Sequence, residues 1–293
     1  LARSGELAVM PLSRALPGGL VLLGCGKMGS ALLKGWLDDG LPPDRIEVRE
    51  PHPSDWLTAQ AERGLRIAGP AAATAAPPPS AIVVAVKPQT MDTALASLST
   101  GPETLTLSIA AGIRIARFEA ALGPRSAIVR AMPNTPAAIG RGVTALVGNA
   151  AAAGAGLALA ERLMGAVGQT VRLDSEDQMD AVTALSGSGP AYVFHLIECM
   201  AEAGVRQGLP PEMALVLARA TVAGAGALAE AGDDPPDRLR QNVTSPGGTT
   251  AAALAVLMDA ATGLGPLMQR AIDAAARRSR ELAAPADGGE TPR

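Results

Sequence analysis

The sequence predicts an α/β fold in two parts: a doubly wound sheet over residues 18–173, then an all-helical domain over residues 174–284. Three observations predict it. Before about residue 174, short apolar runs alternate with stretches of helical spacing, the βαβ pattern of a doubly wound sheet. After it, strand signals stop and helical segments follow one another, divided by Gly and Pro clusters. The length of 293 residues suits two domains at roughly 100–200 residues each.

Residues 20–23, Leu-Val-Leu-Leu, form the first expected strand, and residues 27–37 the first helix, ended by Gly40 at a C′ position. Residues 46–49 are the second strand, and residues 55–63 a helix stopped by Gly64. Residues 81–86 are apolar throughout, as a parallel strand buried on both faces is. Residues 104–109, 127–130, 142–147 and 170–173 complete the strands. In the second half, residues 177–185, 191–207, 211–231, 250–259 and 265–283 read as helices. Ala220, Gly224 and Ala227 form a small-residue surface that suits either tight internal packing or a helical dimer interface. So alanine-rich a small domain leaves surface for a partner, and a homodimer is expected. Residues 1–17 and the tail from Pro285 are expected to be poorly ordered, and residues 71–79 read as an Ala/Pro-rich linker.

Hydrophobic residues make up 48% of the chain and charged residues 18%, ample for two cores. Aromatics are only 2%, so these cores must pack small side chains closely. A net charge of -3 without a long run of one sign leaves no electrostatic footprint for nucleic acid, and the scarcity of aromatics removes base stacking. No segment reads as the long, strongly apolar run that spans a bilayer; residues 150–160 are Ala and Gly, too weakly hydrophobic. The apolar run 20–23 feeds straight into a glycine loop and reads as a strand rather than the core of a signal peptide. Two cysteines, Cys25 and Cys199, give no disulfide framework and suit a reducing, cytoplasmic compartment. His52 and His195 are the only histidines, so no Cys/His cluster has metal-ligand spacing and no metal is expected.

Gly24-Cys25-Gly26-Lys27-Met28-Gly29 fits G-x-G-x-x-G. The spacing alone is weak evidence in a chain with 33 glycines. Its context is specific: it follows an expected strand and opens an expected helix, as in the Rossmann dinucleotide-binding unit. In that unit Gly24 permits the tight turn, Gly26 lets the backbone approach a pyrophosphate, and Gly29 lets helix and strand pack closely. The helix start then offers unpaired N–H groups to the phosphates. Glu50 closes the second strand about 20 residues further on. An acid there bonds the adenosine ribose hydroxyls and repels a 2′-phosphate, which leans towards NADH. Arg49 beside it would instead grip that phosphate, and a solvated charge pair at a strand end is the plainer reading. The cofactor is therefore NADPH or NADH. Cys25 has no base beside it and takes no nucleophilic role. His52 sits in a Pro-flanked loop near the ribose end and reads as solvated.

The C-terminal ends of parallel strands form the ligand crevice of such sheets. Ala85-Val86-Lys87-Pro88 lies at one, so Lys87 either faces the cofactor or is an ordinary strand-ending lysine. Ser108-Ile109-Ala110-Ala111-Gly112 lies at the next, with small residues against which a nicotinamide can rest. Met132-Pro133-Asn134-Thr135-Pro136 is a loop stiffened by two prolines. Ser186-Gly187-Ser188-Gly189-Pro190 suits a helix cap, with Gly189 or Ser188 at N-cap and Pro190 at N1. Thr244-Ser245-Pro246-Gly247-Gly248-Thr249-Thr250 precedes a helix, and its glycines and hydroxyls exceed what one N-cap needs. A substrate carboxylate fits the N–H groups of Gly248, Thr249 and Thr250 there. His195 lies in an apolar helix and reads as packed or partner-facing. Glu176, Asp177 and Asp180 open a helix, where the dipole favours negative charge.

Taken in order, six segments resemble the pyrroline-5-carboxylate reductase family over residues 20–284: the glycine loop, Ala85-Val86-Lys87-Pro88, Ala110-Ala111-Gly112, Arg130-Ala131-Met132-Pro133-Asn134-Thr135-Pro136, Leu185-Ser186-Gly187-Ser188-Gly189-Pro190-Ala191-Tyr192, and Asn242-Val243-Thr244-Ser245-Pro246-Gly247-Gly248-Thr249-Thr250. The last is the most specific. The resemblance implies a Rossmann domain followed by a helical dimerisation domain, in an intertwined homodimer or a larger ring. It implies NAD(P)H-dependent reduction of 1-pyrroline-5-carboxylate to L-proline, the last step of proline biosynthesis, at a site where a Rossmann domain meets a helical domain. It places cofactor contacts on Gly24, Cys25, Gly26, Lys27, Met28, Gly29, Ala85, Val86, Lys87, Pro88, Ile109, Ala110, Ala111 and Asn242, to which the strand-end reading adds Glu50. It places substrate contacts on Glu176, Ser245, Thr249 and Thr250, to which the glycine turn before the helix adds Gly247 and Gly248. Members often carry Ser at the position of Glu50 and Asn at that of Ala71, both near the adenosine phosphate, so the departures here put the usual NADPH preference in doubt.

A protonated imine is already an electrophile, which fits a site without an evident histidine or paired carboxylates. Thr250 is then the expected catalytic residue, its hydroxyl bonding the ring nitrogen. A 3-hydroxyacid dehydrogenase, one rival, would want a lysine in the helical domain, yet the lysines are Lys27, Lys34 and Lys87. A non-catalytic dinucleotide sensor, the other, would have no use for residues 245–250.

Overall fold

The computed structural model describes residues 10–69, 72, 77–96, 98 and 100–283. Contacts divide the chain into two compact units: the first runs to Gly187 and takes back the chain from Ala276, and the second is Ser188–Ala275.

In the first unit eight strands form one sheet: β1 (Leu20–Leu23), β2 (Ile46–Arg49), β3 (Arg66–Ala68), β4 (Ala81–Val84), β5 (Leu105–Ser108), β6 (Ala127–Met132), β7 (Gly142–Gly148) and β8 (Gly168–Arg172). Their order is β3-β2-β1-β4-β5-β6-β7-β8, the doubly wound arrangement expected. All pairs are parallel except β6 with β7. That reversal was not expected, because an apolar strand reads the same in either direction. The central strands are apolar throughout because they serve two cores. Leu20, Leu22, Ala81 and Val83 face one layer with Leu32, Leu33 and Trp36, whereas Val21, Leu23, Ile82 and Val84 face another with Met91, Ile115 and Phe118. Each fully buried Leu, Val or Phe there stabilises by about 1.5–3 kcal/mol. The helices that carry these residues are α1 (Leu12–Ala15), α2 (Lys27–Asp38), α3 (Asp55–Ala61), α4 (Met91–Ala96), α5 (Ile115–Leu122), α6 (Ala155–Gly165) and α7 (Met179–Val182). Gly40 and Gly64 take positive φ, 86° and 98°, just beyond α2 and α3, as their expected stop positions require.

Several boundaries move. The 81–86 strand ends at Val84, where its neighbours β1 and β5 end at Leu23 and Ser108, and residues 85–88 turn into the crevice. The strand expected at 127–130 continues to Met132 because β7 supplies a further antiparallel partner, Ala145, for that residue. The short edge strand β3 was not expected.

Residues 10–17 are not disordered as expected. Leu12 and Leu16 are fully buried in the first core, and Arg162 of α6 donates to Met10 O at 2.7 Å. Residues 1–9, the tail from 284 and most of the 71–79 linker lie outside the described residues. The contact-defined units divide between Gly187 and Ser188, further along the chain than the domain boundary expected at 173/174. The reason is packing: Met179 is buried in the second core, and Ser279 Oγ donates to Asp180 at 2.6 Å, tying the end of the last helix to α7.

The second unit is helical: α8 (Gly189–Arg206), α9 (Pro211–Ala231), α10 (Pro236–Asn242), α11 (Thr249–Leu257) and the first part of α12 (Leu264–Ala283). Pro235-Pro236 is the start signal that would have disclosed α10. The segment before α8 is no ordinary cap. Thr183–Gly187 is a π-helical turn, Ser188 has helical φ and ψ, its hydroxyl caps nothing, and the helix begins one residue before Pro190. Gly187 packs against the Met132 side chain, whose Cε would lie 2.7 Å from a Cβ there and would have to move aside for one. Within the unit α8 packs on α9 through Gly204 and Ala214. Elsewhere its apolar side chains face outward: Phe194, Val216, Leu228 and Val256 are 59–72% exposed. Gly224 has no atom near where a Cβ would stand, so the Ala220-Gly224-Ala227 surface is not internal packing. One expectation is corrected here: α9, with 21 residues and a mean hydropathy of 1.4, is long and apolar enough to cross a membrane by length and composition.

Leu12→Ala should cost about 2–5 kcal/mol of unfolding free energy, as other buried Leu→Ala changes do. Urea unfolding of the variant checks this; a loss under about 1 kcal/mol would mean that α1 is not docked.

Candidate functional site

The site in the first unit starts from the turn between β1 and α2. Gly24 has φ 85°, and a Cβ on it would meet Ala85 O at 2.9 Å. Gly29 lies so close to that turn that a Cβ would come 2.4 Å from Gly24 O. Gly26 differs: a Cβ there would meet nothing within 4 Å and would stand in open space. The three glycines therefore divide the work as expected, with turn, approach and packing on separate residues. Gly26 is the N-cap of α2 and no side chain caps the helix, which leaves the first N–H groups of Lys27 and Met28 for an anion. A cradle that glycine keeps open at an uncapped helix start fits a dinucleotide pyrophosphate.

Beside the cradle lies a cleft of about 530 Å³, lined among others by Gly24, Gly26, Glu50, His52, Val86 and Lys87. Glu50 is fixed at its wall. Its carboxylate accepts from Cys25 N–H at 2.7 Å and from His52 N–H at 3.1 Å, so it joins the end of β2 to the glycine loop. Arg49 also lines the cleft, but its guanidinium is buried and donates through Nε to Glu47 at 2.9 Å, on the same face of β2. Lys87 lines the cleft together with Ala85, whereas Pro88 opens a short 3-10 turn. Burial, reinforced by the Glu50 charge and only partly opposed by the Ser30 hydroxyl, pushes the Cys25 thiol up, so it stays protonated and inert.

The next strand end carries the loop 109–114. Ser108 Oγ accepts from Ala110 N–H at 3.3 Å, and Gly112 turns the chain with φ 76°. Arg114 is the N-cap of α5 and cannot cap it. Glu176 does so instead: its Oε1 accepts from Ile115 N–H and from Arg130 Nη1, both at 2.9 Å. Arg114 stands 3.6 Å from the other Glu176 oxygen and donates to Asp177 at 2.6 Å. The Asp177 hydrogen bond, with the Glu176 charge behind it, raises the Arg114 guanidinium above its usual range. Glu176, Asp177 and Asp180 thus each have a specific partner, where sequence offered only the helix dipole. Asn134 is a further clamp that sequence missed. It donates to Ser186 O at 3.1 Å and accepts from Val143 N–H at 2.9 Å, fixing the loop before β7 to the π-helical turn.

In the second unit, residues 244–250 form the expected turn. Gly247 takes φ 71°, and α11 starts with Gly248 as N-cap and no side-chain cap. One detail is corrected. Gly248 N–H is already donated to Ser245 O at 3.1 Å, so the N–H groups open to an anion are those of Thr249, Thr250 and Ala251. No described group engages the hydroxyls of Ser245, Thr249 or Thr250, whereas Thr244 Oγ1 is spent on Arg240 O. Asn242 ends α10 and is exposed. His195 is exposed in its own chain: its side chain is 75% exposed, and among the described residues its polar contacts are Glu198 and Cys199.

The doubly wound sheet, the glycine cradle and the cleft at the strand ends define a dinucleotide-binding oxidoreductase. Comparison with known proteins agrees. The family described as "NADP oxidoreductase coenzyme F420-dependent" matches residues 20–112, and "Pyrroline-5-carboxylate reductase dimerisation" matches residues 176–282. The pyrroline-5-carboxylate reductase of Pseudomonas aeruginosa is 40% identical over 273 residues, covering 90% of this chain and 96% of that one. The Synechocystis enzyme is 41% identical over 265 residues, covering 90% and 97%. Among solved structures, a Coxiella burnetii pyrroline-5-carboxylate reductase superposes with a TM-score of 0.84 at 36% identity, covering 92% of this chain and 99% of that one. Plasmodium falciparum pyrroline carboxylate reductase, solved with NADP bound, gives 0.75 at 28%, covering 91% and 98%. The chain belongs to the pyrroline-5-carboxylate reductase family.

Proposed function

We propose that this protein reduces 1-pyrroline-5-carboxylate to L-proline with NADPH or NADH, as the last step of proline biosynthesis. The observation that carries this reading is where two of the three described helix starts with a glycine N-cap and no capping side chain lie, in a chain of this family; the third, at Gly154, opens α6. One belongs to the dinucleotide cradle and the other to the Gly-Gly-Thr-Thr turn.

When bound, the reduced nicotinamide supplies a hydride to the imine carbon. The protein's own part is binding and orientation, which can supply much of the rate. Lys27 and Met28 N–H hold the pyrophosphate, with Gly24, Cys25, Gly26 and Gly29 shaping the approach. Glu50 receives the adenosine ribose, with Ala85, Val86, Lys87 and Pro88 along the cleft. Ile109, Ala110 and Ala111 face the nicotinamide end, and Asn242 adds a contact from the helical unit. The substrate carboxylate rests on Thr249 and Thr250 N–H, with Ser245 and the Gly247-Gly248 turn shaping its seat. Thr250 Oγ1 accepts a hydrogen bond from the N–H of the protonated imine, which enters with a proton taken from water and becomes the neutral secondary amine once the hydride adds to its carbon. Glu176, its carboxylate already shared between Ile115 and Arg130, is a poor candidate for holding substrate. The exposed apolar faces of α8, α9 and α11 meet a second copy in a homodimer, which also accounts for the hydropathy of α9 without a membrane. The two thiols, unpaired in the chain, suit the cytoplasm.

Oxidation of NADH and NADPH, followed with pyrroline-5-carboxylate and with its six-membered homologue, tests the function. Turnover should favour the five-membered imine; no imine-dependent oxidation would refute the reading. Thr250→Ala should lower kcat/KM roughly fivefold or more, the value of about 1 kcal/mol for one hydrogen bond, and leave dinucleotide affinity unchanged. Unaltered kinetics would remove Thr250 from the mechanism. With Glu50 at the ribose and Arg49 held by Glu47, NADH should be the better donor. Glu50→Ser should raise the NADPH/NADH ratio of kcat/KM on the order of tenfold by removing a charge beside the 2′ position. A ratio that stays put would mean that Glu50 does not read the ribose.

A further inference from the structure

We infer that Glu176 is a positioning residue for the dinucleotide, acting through the loop 109–114 rather than by touching substrate. The inference rests on the cofactor reading of that loop given above. It starts from a gap in the local chemistry. The loop leaves β5 at Ser108 and enters α5 at Ile115, and its last residue, Arg114, offers α5 no acceptor. A helix start of this kind leaves donors unpaired. Two segments distant in sequence close the gap. Glu176 accepts the Ile115 N–H, and Arg130 holds Glu176 in place by a second bond to the same oxygen. Arg130 lies on β6 directly beside Ser108 in the strand register, so the pair spans from the loop's first anchor to its last. The Arg130 side chain is 7% exposed and that of Glu176 17%, so water does little to weaken the contact. Arg114 extends the clamp to Asp177 at 2.6 Å. Over the middle of the loop, a Cβ on Gly112 would come 3.4 Å from Leu282 O, so the last turn of α12 limits motion there.

The loop is thus held at its beginning, middle and end, and a carboxylate at 176 is the one acceptor at its end. Any shift of Glu176 moves Ala110 and Ala111 relative to the strand ends that bear the cofactor cleft. The expected consequence is specific: looser binding of the dinucleotide, with little change in recognition of the imine.

The test uses the full-length enzyme. Dissociation constants for NADH and NADPH are measured by nucleotide fluorescence without substrate, and KM for pyrroline-5-carboxylate at saturating dinucleotide. Glu176→Gln should raise the dinucleotide Kd about tenfold, the equivalent of one charge-assisted hydrogen bond, and leave the imine KM within about twofold. Asp177→Asn, at a surface position that folding tolerates, should raise the same Kd about two- to fivefold and serves if Glu176→Gln does not fold. A raised imine KM with unchanged dinucleotide Kd would overturn the inference and make Glu176 a substrate contact. Unchanged values for both constants in folded variants would overturn it too. A wild-type enzyme that binds no dinucleotide would instead refute the functional reading.

Discussion

Backbone N–H groups left without an internal partner are the constraint on which the functional reading depends. Every helix start has such donors, and the chain meets them in different ways. Ser54 caps α3 with its side chain, and Ser175 and Gln178 form a capping box before α7. Glu176 reaches across to α5. At α2 and α11, as at Gly154 before α6, glycine occupies the N-cap instead and no described side chain caps the donors. Glycine before α2 and α11 leaves the amides accessible at a small expense of helix stability, about a few tenths of a kcal/mol relative to a capping side chain. On the proposed function these donors take a pyrophosphate at the first and a carboxylate at the second.

The rest of the sheet unit supports this arrangement. Two apolar layers hold β1 and β4 rigidly on both faces, so the turn at Gly24 and the residues after Val84 are fixed relative to each other. Gly29 packs on Gly24 more tightly than any side chain would allow. Glu50 then ties the end of β2 to the same loop through Cys25 N–H. The Glu50 carboxylate, proposed to read the ribose, is therefore also part of the cradle's own hydrogen bonding.

Much of this was legible in the sequence. The glycine loop could be read because its residue types are dictated by backbone geometry, and the turn at 244–250 because its glycines and hydroxyls exceed what a cap needs. The strands could be read from their continuous apolarity. What escaped depends on partners far away in the chain. Nothing near Glu176 discloses Arg130 or Ile115, nothing near Asn134 discloses Ser186, and the docking of Leu12 and Leu16 needs the folded surface of α6. The antiparallel turn into β7 escaped because an apolar strand looks the same in either direction. Gly248 illustrates a finer limit: its N–H was assigned to substrate, but a local turn had already used it. The outward-facing apolar helices were anticipated as an interface, and the family to which the chain belongs includes a dimerisation region over the same residues.

The most direct measurement is a crystal structure of the enzyme with oxidised dinucleotide and L-proline. The account predicts phosphate oxygens within hydrogen-bonding distance of Lys27 and Met28 N–H, and the proline carboxylate on Thr249 and Thr250 N–H with its ring nitrogen towards Thr250 Oγ1. Proline seated away from the Gly-Gly-Thr-Thr turn would contradict it.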